Sequence, residues 1–361
     1  MRIGIVGGGQ LGRMLALAGT PLGMRFVVAD EHADAPASSV AEVVCGDPSD
    51  PATLARLAAR VDVVTFENEH IDSGALADLP VPVRPSPGAL GIVQDRLTQK
   101  QMFMRLGIRT APFAAVSTAG ELPDALAVTG AAAVIKTRRG GYDGRGQAVI
   151  ERASDAAAAW DAVGRRPAIV ESRVRFRREL SVVAVRGEDG RIEIYDPAEN
   201  RHENGILRVS VAPAPIDERT RAEAAAAVRA IGEHLGCIGA FALEMFDTPA
   251  GLVANELALR VHNTGHWTIE GAETSQFENH LRAVAGLPLG SAASLGHRAI
   301  VNLIGDLPDP AEVLALPSVR LHVYGKTVRP GRKVGHVSVG AADPAGLAER
   351  LASLRHLPGA S

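Results

Sequence analysis

The sequence predicts a mixed α/β protein, an α+β mixture of two or three domains in which a parallel α/β unit is followed by largely antiparallel sheet. Three observations predict it. A chain of 361 residues exceeds what one hydrophobic core ordinarily organises. Its opening reads strand, glycine turn, helix, strand, the start of a parallel βαβ unit. From about residue 131 the pattern changes to short apolar strands separated by glycine-marked turns, the signature of hairpins.

In chain order, Arg2 to Val6 is the first strand, Gly7, Gly9 and Gly12 form the turn, Leu11 to Leu22 the helix, and Arg25 to Asp30 the second strand. Val61 to Phe66 adds an apolar strand, and the proline-rich stretch Leu79 to Pro87 closes this unit near residue 93. A helix follows over about Asp95 to Leu106. Ala133 to Lys136 and Gln147 to Ile150 then read as the arms of a hairpin, with the basic glycine loop Thr137 to Gly146 as its tip. Strands at Ala168 to Val170, Glu179 to Arg186 and Arg191 to Tyr195 point to a further, antiparallel domain, continued by an alanine-rich helix from about Glu218 to Leu235. Phe241 to Phe246 and Leu252 to Leu257 form a hairpin around Thr248, Pro249 and Gly251; a helix covers about Ser275 to Ala285. The tail holds a strand pair, Val319 to Tyr324 with His336 to Val339, and a last helix. The expected domains are therefore 1–93, 94–165 and 166–361.

A formal charge of −3 without a local run of Lys and Arg offers no field for nucleic acid. No apolar stretch reaches the roughly 18 to 20 residues that span a bilayer, so the expectation is a soluble, cytoplasmic protein without a membrane partner. Cys45 and Cys237 lack the spacing of a zinc or redox pair and read as buried free thiols. Only four basic residues are Lys: Lys100, Lys136, Lys326 and Lys333. Arg stands everywhere else, so the survivors mark places where a compact ammonium is useful, a reading that motifs favour for Lys136 and Lys326 and leave open for Lys100.

Gly7, Gly9 and Gly12 form G-x-G-x-x-G after a strand, with Asp30 closing the next strand. That is the fingerprint of a dinucleotide site, or else a turn that holds a substrate phosphate on a helix N-terminus. Nothing downstream supplies a hydride-transfer constellation, which weighs against a nicotinamide enzyme. Lys136 through Gly146 is more specific: four glycines among cations give a backbone that can close over phosphates as a lid, while Lys136 sits on the preceding strand. Glu244 and Glu256 fall opposite one another on the two arms of the 241–257 hairpin, where like charges call for a cation, and Mg²⁺ suits carboxylates shared with nucleotide phosphates. Beyond them Arg260 can hold bicarbonate or a developing carboxyphosphate, with His262 and Asn263 as further donors. His266 and His280 read as core hydrogen-bonders. Lys326 through Lys333 is either a solvated face or an anion site closing the cleft.

Together these residues resemble the 5-(carboxyamino)imidazole ribonucleotide synthases of the ATP-grasp superfamily. The likeness runs over nearly the whole chain. It is carried by Gly7 to Met14, Asp95 to Lys100, Gly141 to Gln147, Asn255 to Trp267, Ser275 to Glu278 and Arg329 to His336. The resemblance implies an ATP-grasp fold preceded by a Rossmann-like parallel domain, with a small glycine-loop lid domain. It implies ATP held by Arg96, Lys136, Gly141, Tyr142, Asp143, Gly144, Arg145, Gly146 and Gln147. Glu171, Ser172, Arg173 and Val174 would meet the adenine edge, Glu179 the ribose, with His202 and Asn255 nearby. Mg²⁺, or Mn²⁺ in its place, falls to Glu244 and Glu256, and the catalytic group around bicarbonate is Arg260, His262, Asn263 and Lys326. Aminoimidazole ribonucleotide would meet Glu67, Tyr142, Asp143, Arg145, Lys326 and Arg332, assisted by the Gly7 to Gly12 turn. A homodimer is also implied. One departure stands out: Leu259 occupies a position where the family has Pro, which is expected to loosen the placement of Arg260. The competing readings are a formate-using ATP-grasp ligase and a catalytically silent nucleotide sensor, the latter disfavoured by the pair Glu244 and Glu256.

Overall fold

The computed structural model describes residues 1–141 and 145–360. The chain opens with β1 (Arg2–Val6), β2 (Arg25–Asp30), β3 (Glu42–Cys45) and β4 (Val63–Phe66), a parallel sheet in the order β3-β2-β1-β4. Ile3, Ile5, Val27 and Val28 are buried, as the apolar runs of a sheet covered on both faces require. The helix following the glycine turn spans Gln10–Gly19 and ends in a 3₁₀ turn at Thr20–Leu22, shorter than the expected run to Leu22. The edge strand β3 carries too short a pattern to be read from sequence. It also corrects the reading of Cys45, which is exposed at that edge, whereas Cys237 is buried.

A second sheet contains β5 (Phe113–Val116), β6 (Ala133–Thr137), β7 (Gln147–Ile150) and β8 (Ala168–Ser172), in the order β5-β8-β6-β7. The β6–β7 hairpin pairs Lys136 with Gln147, so the glycine loop springs from this register. Strand β8 was expected with the later antiparallel sheet; it lies instead between β5 and β6. Its apolar run Ala168 to Val170 is buried throughout, and such a run carries no information about which sheet buries it.

The third sheet has nine strands: β9 (Arg178–Arg186), β10 (Ile192–Ile194), β11 (Ala198–Glu203), β12 (Ile206–Ala212), β13 (Gly239–Thr248), β14 (Gly251–Ala258), β15 (His297–Ile304), β16 (Val319–Val323) and β17 (Lys333–Ala341). Their order is β14-β13-β9-β11-β12-β15-β17-β16, with β10 paired to β9. Through β12 and β15 the tail hairpin continues the same sheet that carries Glu244 and Glu256. The long helix Glu218–Leu235 starts where the Asp217 carboxylate accepts from Thr220 N–H and stops at Gly236 in the left-handed region, the two ends its capping residues dictate.

The parallel sheet and the large sheet share core residues, Ile3, Val28, Val183 and Phe277 among them. His280, on the helix Gln276–Val284, joins them with two hydrogen bonds. Its Nδ1 accepts from Ala240 N–H on β13 at 2.9 Å, which leaves the proton on Nε2 to donate to Thr65 Oγ1 on β4 at 2.8 Å. Burial lowers this imidazole to about 4, so it stays neutral.

Candidate active site

The three sheets meet around a cleft of about 1460 Å³. One wall is the β13–β14 hairpin, where Glu244 pairs directly with Glu256. The register counted from Thr248 and Gly251 runs as far as Met245 with Ala254, and a β-bulge at Asn255 then brings Glu256 opposite Glu244. Strict alternation would send Asn255 and Glu256 to opposite faces; the bulge lets both line the cleft.

Burial and the like charge of Glu256 raise the Glu244 carboxyl to about 7. Burial would raise Glu256 too, but Arg96 Nη1 at 2.8 Å outweighs it and holds that carboxyl below its ordinary range. Two opposed carboxylates, one of them close to sharing a proton at neutral pH, form a donor set that suits a hard divalent cation bound together with phosphate oxygens.

On the lid side, Lys136 Nζ lies 3.3 Å from Glu171 Oε2 and 3.2 Å from Asn255 Oδ1. Lys100, left open by the sequence, is buried and bonds the same Glu171 Oε2 at 3.0 Å and Ala254 O at 3.2 Å. Burial lowers it to about 8 against the pull of Glu171. Burial also raises Glu171, but the two ammonium groups prevail and keep its carboxyl low. The expected adenine-edge side chains face other tasks: Ser172 Oγ donates to Thr129 O at 2.6 Å and Arg173 pairs with Glu151 at 2.6 Å. Their backbone N–H groups are engaged as well, Ser172 by Pro112 O at 2.9 Å and Arg173 by Ala132 O at 3.0 Å. Glu179 and His202 line the cleft together, 2.5 Å apart.

Past the hairpin, Arg260 Nε donates to Glu69 Oε2 at 2.9 Å. His262 is gripped on both sides of its backbone by Gln276, at 2.8 Å and 2.6 Å. Its Nδ1 lies 2.8 Å from Thr264 Oγ1 and accepts from Thr264 N–H at 3.4 Å, which assigns the ring proton to Nε2, 3.6 Å from Glu244. Burial and the neighbouring Arg260 drive this imidazole well below its usual range, so it is a neutral donor. Asn263 lines the cleft with amide O and N both buried and without a hydrogen bond among the described residues. Such a pair is shaped for a ligand rather than for the fold.

The glycine turn does something the motif did not announce. Gly9 N–H and Gly12 N–H donate to the Glu67 carboxylate at 2.5 and 2.7 Å, and Gly8 N–H donates to Asp30 at 2.8 Å. A Cβ on Gly9 would stand 2.5 Å from Glu67 Oε1, so glycine is required to admit the chain's own carboxylate. Dinucleotide binding at this turn is thereby excluded: the donors for a pyrophosphate are taken, and Asp30 is engaged by backbone. Burial raises the Glu67 carboxyl, with Lys326 pulling the other way.

Glu67, Arg96, Gly141, Arg145, Gln147, Lys326 and Arg332 all line the same cleft, while Tyr142, Asp143 and Gly144 lie outside the described residues. Lys326 and Arg329 to Lys333 thus border the cleft, while Thr327 to Gly331 are themselves exposed, so the loop is both a cleft wall and a solvated face. Sequence reasoning passed over Glu69 and Phe246. Phe246 was legible, since it stands two residues beyond Glu244 on β13 and so shares its face; it stacks on Phe176 with ring centroids 4.7 Å apart. Val134, Val149 and Leu207 complete an apolar wall there, of a kind that holds a flat base.

Known proteins with this arrangement are numerous. Residues 1–94 match the ribonucleotide synthetase preATP-grasp domain, 101–277 the ATP-grasp domain and 299–350 the phosphoribosylaminoimidazole carboxylase C-terminal domain. The N5-carboxyaminoimidazole ribonucleotide synthase of Pseudomonas aeruginosa is 48% identical over 359 residues, 99% of either chain. That of Bacillus subtilis is 40% identical, covering 93% of this chain and 90% of its own. Among solved structures, the N5-carboxyaminoimidazole ribonucleotide synthetase of Thermus thermophilus superposes with a TM-score of 0.94 at 48% identity, covering 99% of this chain and 98% of that one. The Aspergillus clavatus synthase, in complex with ADP and 5-aminoimidazole ribonucleotide, gives 0.90 at 30% identity over 98% and 97%.

Proposed function

We propose the chemistry of this cleft from one premise: the chain belongs to the N5-carboxyaminoimidazole ribonucleotide synthase family of ATP-grasp ligases, and its reaction is the ATP-dependent carboxylation of 5-aminoimidazole ribonucleotide. The observation that carries the residue assignments is the direct pairing of Glu244 with Glu256 beside the bulged Asn255, with Lys136 on one side and Arg260 on the other.

The triphosphate runs along that line. Arg96 and Lys136 hold its phosphates, exchanging Glu256, Glu171 and Asn255 for phosphate oxygens. The base lies against Phe246, Val134 and Leu207, near the backbone of 171–174, and the ribose meets Glu179 and His202. Glu244 and Glu256 hold Mg²⁺, or Mn²⁺, which supplies charge neutralisation at the phosphates. Bicarbonate sits against Arg260, the Nε2–H of His262, Asn263 and Lys326, and its oxygen attacks the γ-phosphorus to give carboxyphosphate and ADP. Gly141 to Gln147, closing from the β6–β7 register, excludes water from that labile species. The exocyclic amine then takes the carboxyl carbon and releases phosphate. Glu67, Tyr142, Asp143, Arg145, Lys326 and Arg332 hold the ribonucleotide. A cytoplasmic homodimer completes the proposal, which light scattering showing monomer alone would overturn in its second half.

Phosphate release from Mg-ATP, measured with and without the ribonucleotide and at high and depleted bicarbonate, tests the assignment. Dependence on both supports it. Indifference to bicarbonate, or equal turnover with formate, sinks the oxyanion assigned to Arg260.

A further inference from the structure

Glu69 belongs to no motif, yet it stands at the crossing of three chain segments. Its carboxylate bridges two consecutive residues: Oε1 accepts from Leu259 N–H at 2.9 Å and Oε2 accepts from Arg260 Nε at 2.9 Å. Arg260 Nη1 donates to Val261 O at 3.0 Å, so the guanidinium is held at two of its three nitrogens. The side chains of both partners are largely shielded, 21% exposed for Arg260 and 17% for Glu69, so solvent does not compete freely for the pair. Leu259 is the residue expected to loosen Arg260. Its N–H, which a proline lacks, supplies half of the clamp on the carboxylate that holds Arg260.

The clamp continues to the lid. Gln94 Nε2 donates to Glu69 O at 2.8 Å and to Ile71 O at 2.6 Å, which pins the segment carrying the carboxylate. Gln94 Oε1 accepts from Arg139 Nη1 at 3.3 Å, and Arg139 stands at the base of the glycine loop. Beside it the Arg138 guanidinium grips Asp95. An unbroken series of hydrogen bonds therefore runs from the lid base through Gln94 and Glu69 to Arg260.

We infer that Glu69 is a positioning residue for the reaction: through its bridge to Leu259 N–H and Arg260 Nε it aims the Arg260 guanidinium into the oxyanion end of the cleft, and Gln94 ties that aim to the lid. The inference rests on the oxyanion role of Arg260 proposed above. Glu69 itself holds no substrate; its effect is orientation, and a misplacement of about 1 Å at a reacting group is worth up to about 100-fold in rate.

The test uses the full chain with Glu69→Gln, which keeps size and one acceptor but presents N–H to a guanidinium, and with Glu69→Asp. Bicarbonate is varied at saturating ATP and ribonucleotide, then ATP at saturating bicarbonate. The Arg260 Nε–H resonance, assigned by its loss in Arg260→Lys, is followed by NMR. For Glu69→Gln the expected result is kcat down about 10- to 100-fold. The KM for bicarbonate rises about tenfold, the KM for ATP stays within about twofold, and the Nε–H resonance shifts. Glu69→Asp recovers part of each. A Glu69→Gln protein that folds with kcat and bicarbonate KM within about twofold of the parent overturns the inference. Should that variant not fold, Gln94→Leu, which leaves the carboxylate–guanidinium pair in place, is expected to show the same split at about threefold; no split overturns the inference. A parent indifferent to bicarbonate sinks the oxyanion assignment instead, and the resonance then decides alone: unmoved in Glu69→Gln, it refutes the clamp.

Discussion

Two carboxylate sites border the same cleft and have opposite characters. At the glycine turn Glu67 receives two backbone N–H groups of a helix N-terminus, so its charge is answered within the fold. At the β13–β14 hairpin Glu244 faces Glu256, and burial with that like charge makes Glu244 harder to ionise while Arg96 keeps Glu256 ionised. The first site looked like a dinucleotide site by motif, but its N–H donors are taken by Glu67, which itself borders the cleft. The second carries no glycine fingerprint, and its unbalanced charge makes it the site that asks for a ligand. What separates them is not residue type but whether the partners of a buried charge belong to the chain.

The largest effect that can break this comparison is on turnover. With Glu256 assigned to the cation and the phosphates as proposed, Glu256→Ala is expected to lower kcat on the order of 10³-fold with little change in melting temperature; a drop under about tenfold in a phosphate-release assay would move the metal site elsewhere.

Next comes the pH dependence of Glu244. Its folded value of about 7 lies above its ordinary 4.5, so between those values the folded state binds more protons than the unfolded state. Its contribution to stability is complete below about 4.5 and is lost as pH rises through about 7, a change of about 3 kcal/mol at most. Glu244→Gln should flatten the fall in melting temperature across that window, and Mg-ATP binding to the parent should strengthen with pH through it. Identical pH profiles for parent and variant would remove the charge opposition from the comparison.

At the glycine turn the effects are on stability first. Gly9→Ala forces a Cβ against Glu67 and should cost about 1 to 3 kcal/mol by chemical denaturation. A neutral outcome would mean that the carboxylate is not seated in the turn. Smallest of all, Asp30→Asn keeps one acceptor for Gly8 and His32 N–H and should cost about 1 kcal/mol, with turnover unchanged. A loss of turnover there would restore a ligand role to Asp30.

Legibility followed the range of the interaction. Helix ends were readable because a capping residue acts on its own first turn: Asp95 accepts from Leu97 N–H and Asp217 from Thr220 N–H. The opposition of Glu244 and Glu256 was readable only to within a residue: a two-residue turn counted outward in both arms places Glu244 opposite Asn255, and the bulge moves it to Glu256. Phe246 should have been read with them, for the same reason.

The sequence by itself therefore determined the βαβ opening, the lid hairpin, the near opposition of Glu244 and Glu256 and, from motifs spread along the chain, the family to which these belong; the first three are patterns within neighbouring elements. Only the tertiary structure decided that β8 joins the lid sheet, that the tail completes the sheet bearing the cleft, that Glu67 fills the glycine turn, and that Lys100 shares Glu171 with Lys136. Glu69 shows why: it meets Leu259 and Arg260 across 190 and 191 residues of chain. Local periodicity and turn chemistry say nothing at that separation, and the contact exists only because packing of the parallel sheet on the large sheet brings the two loops together.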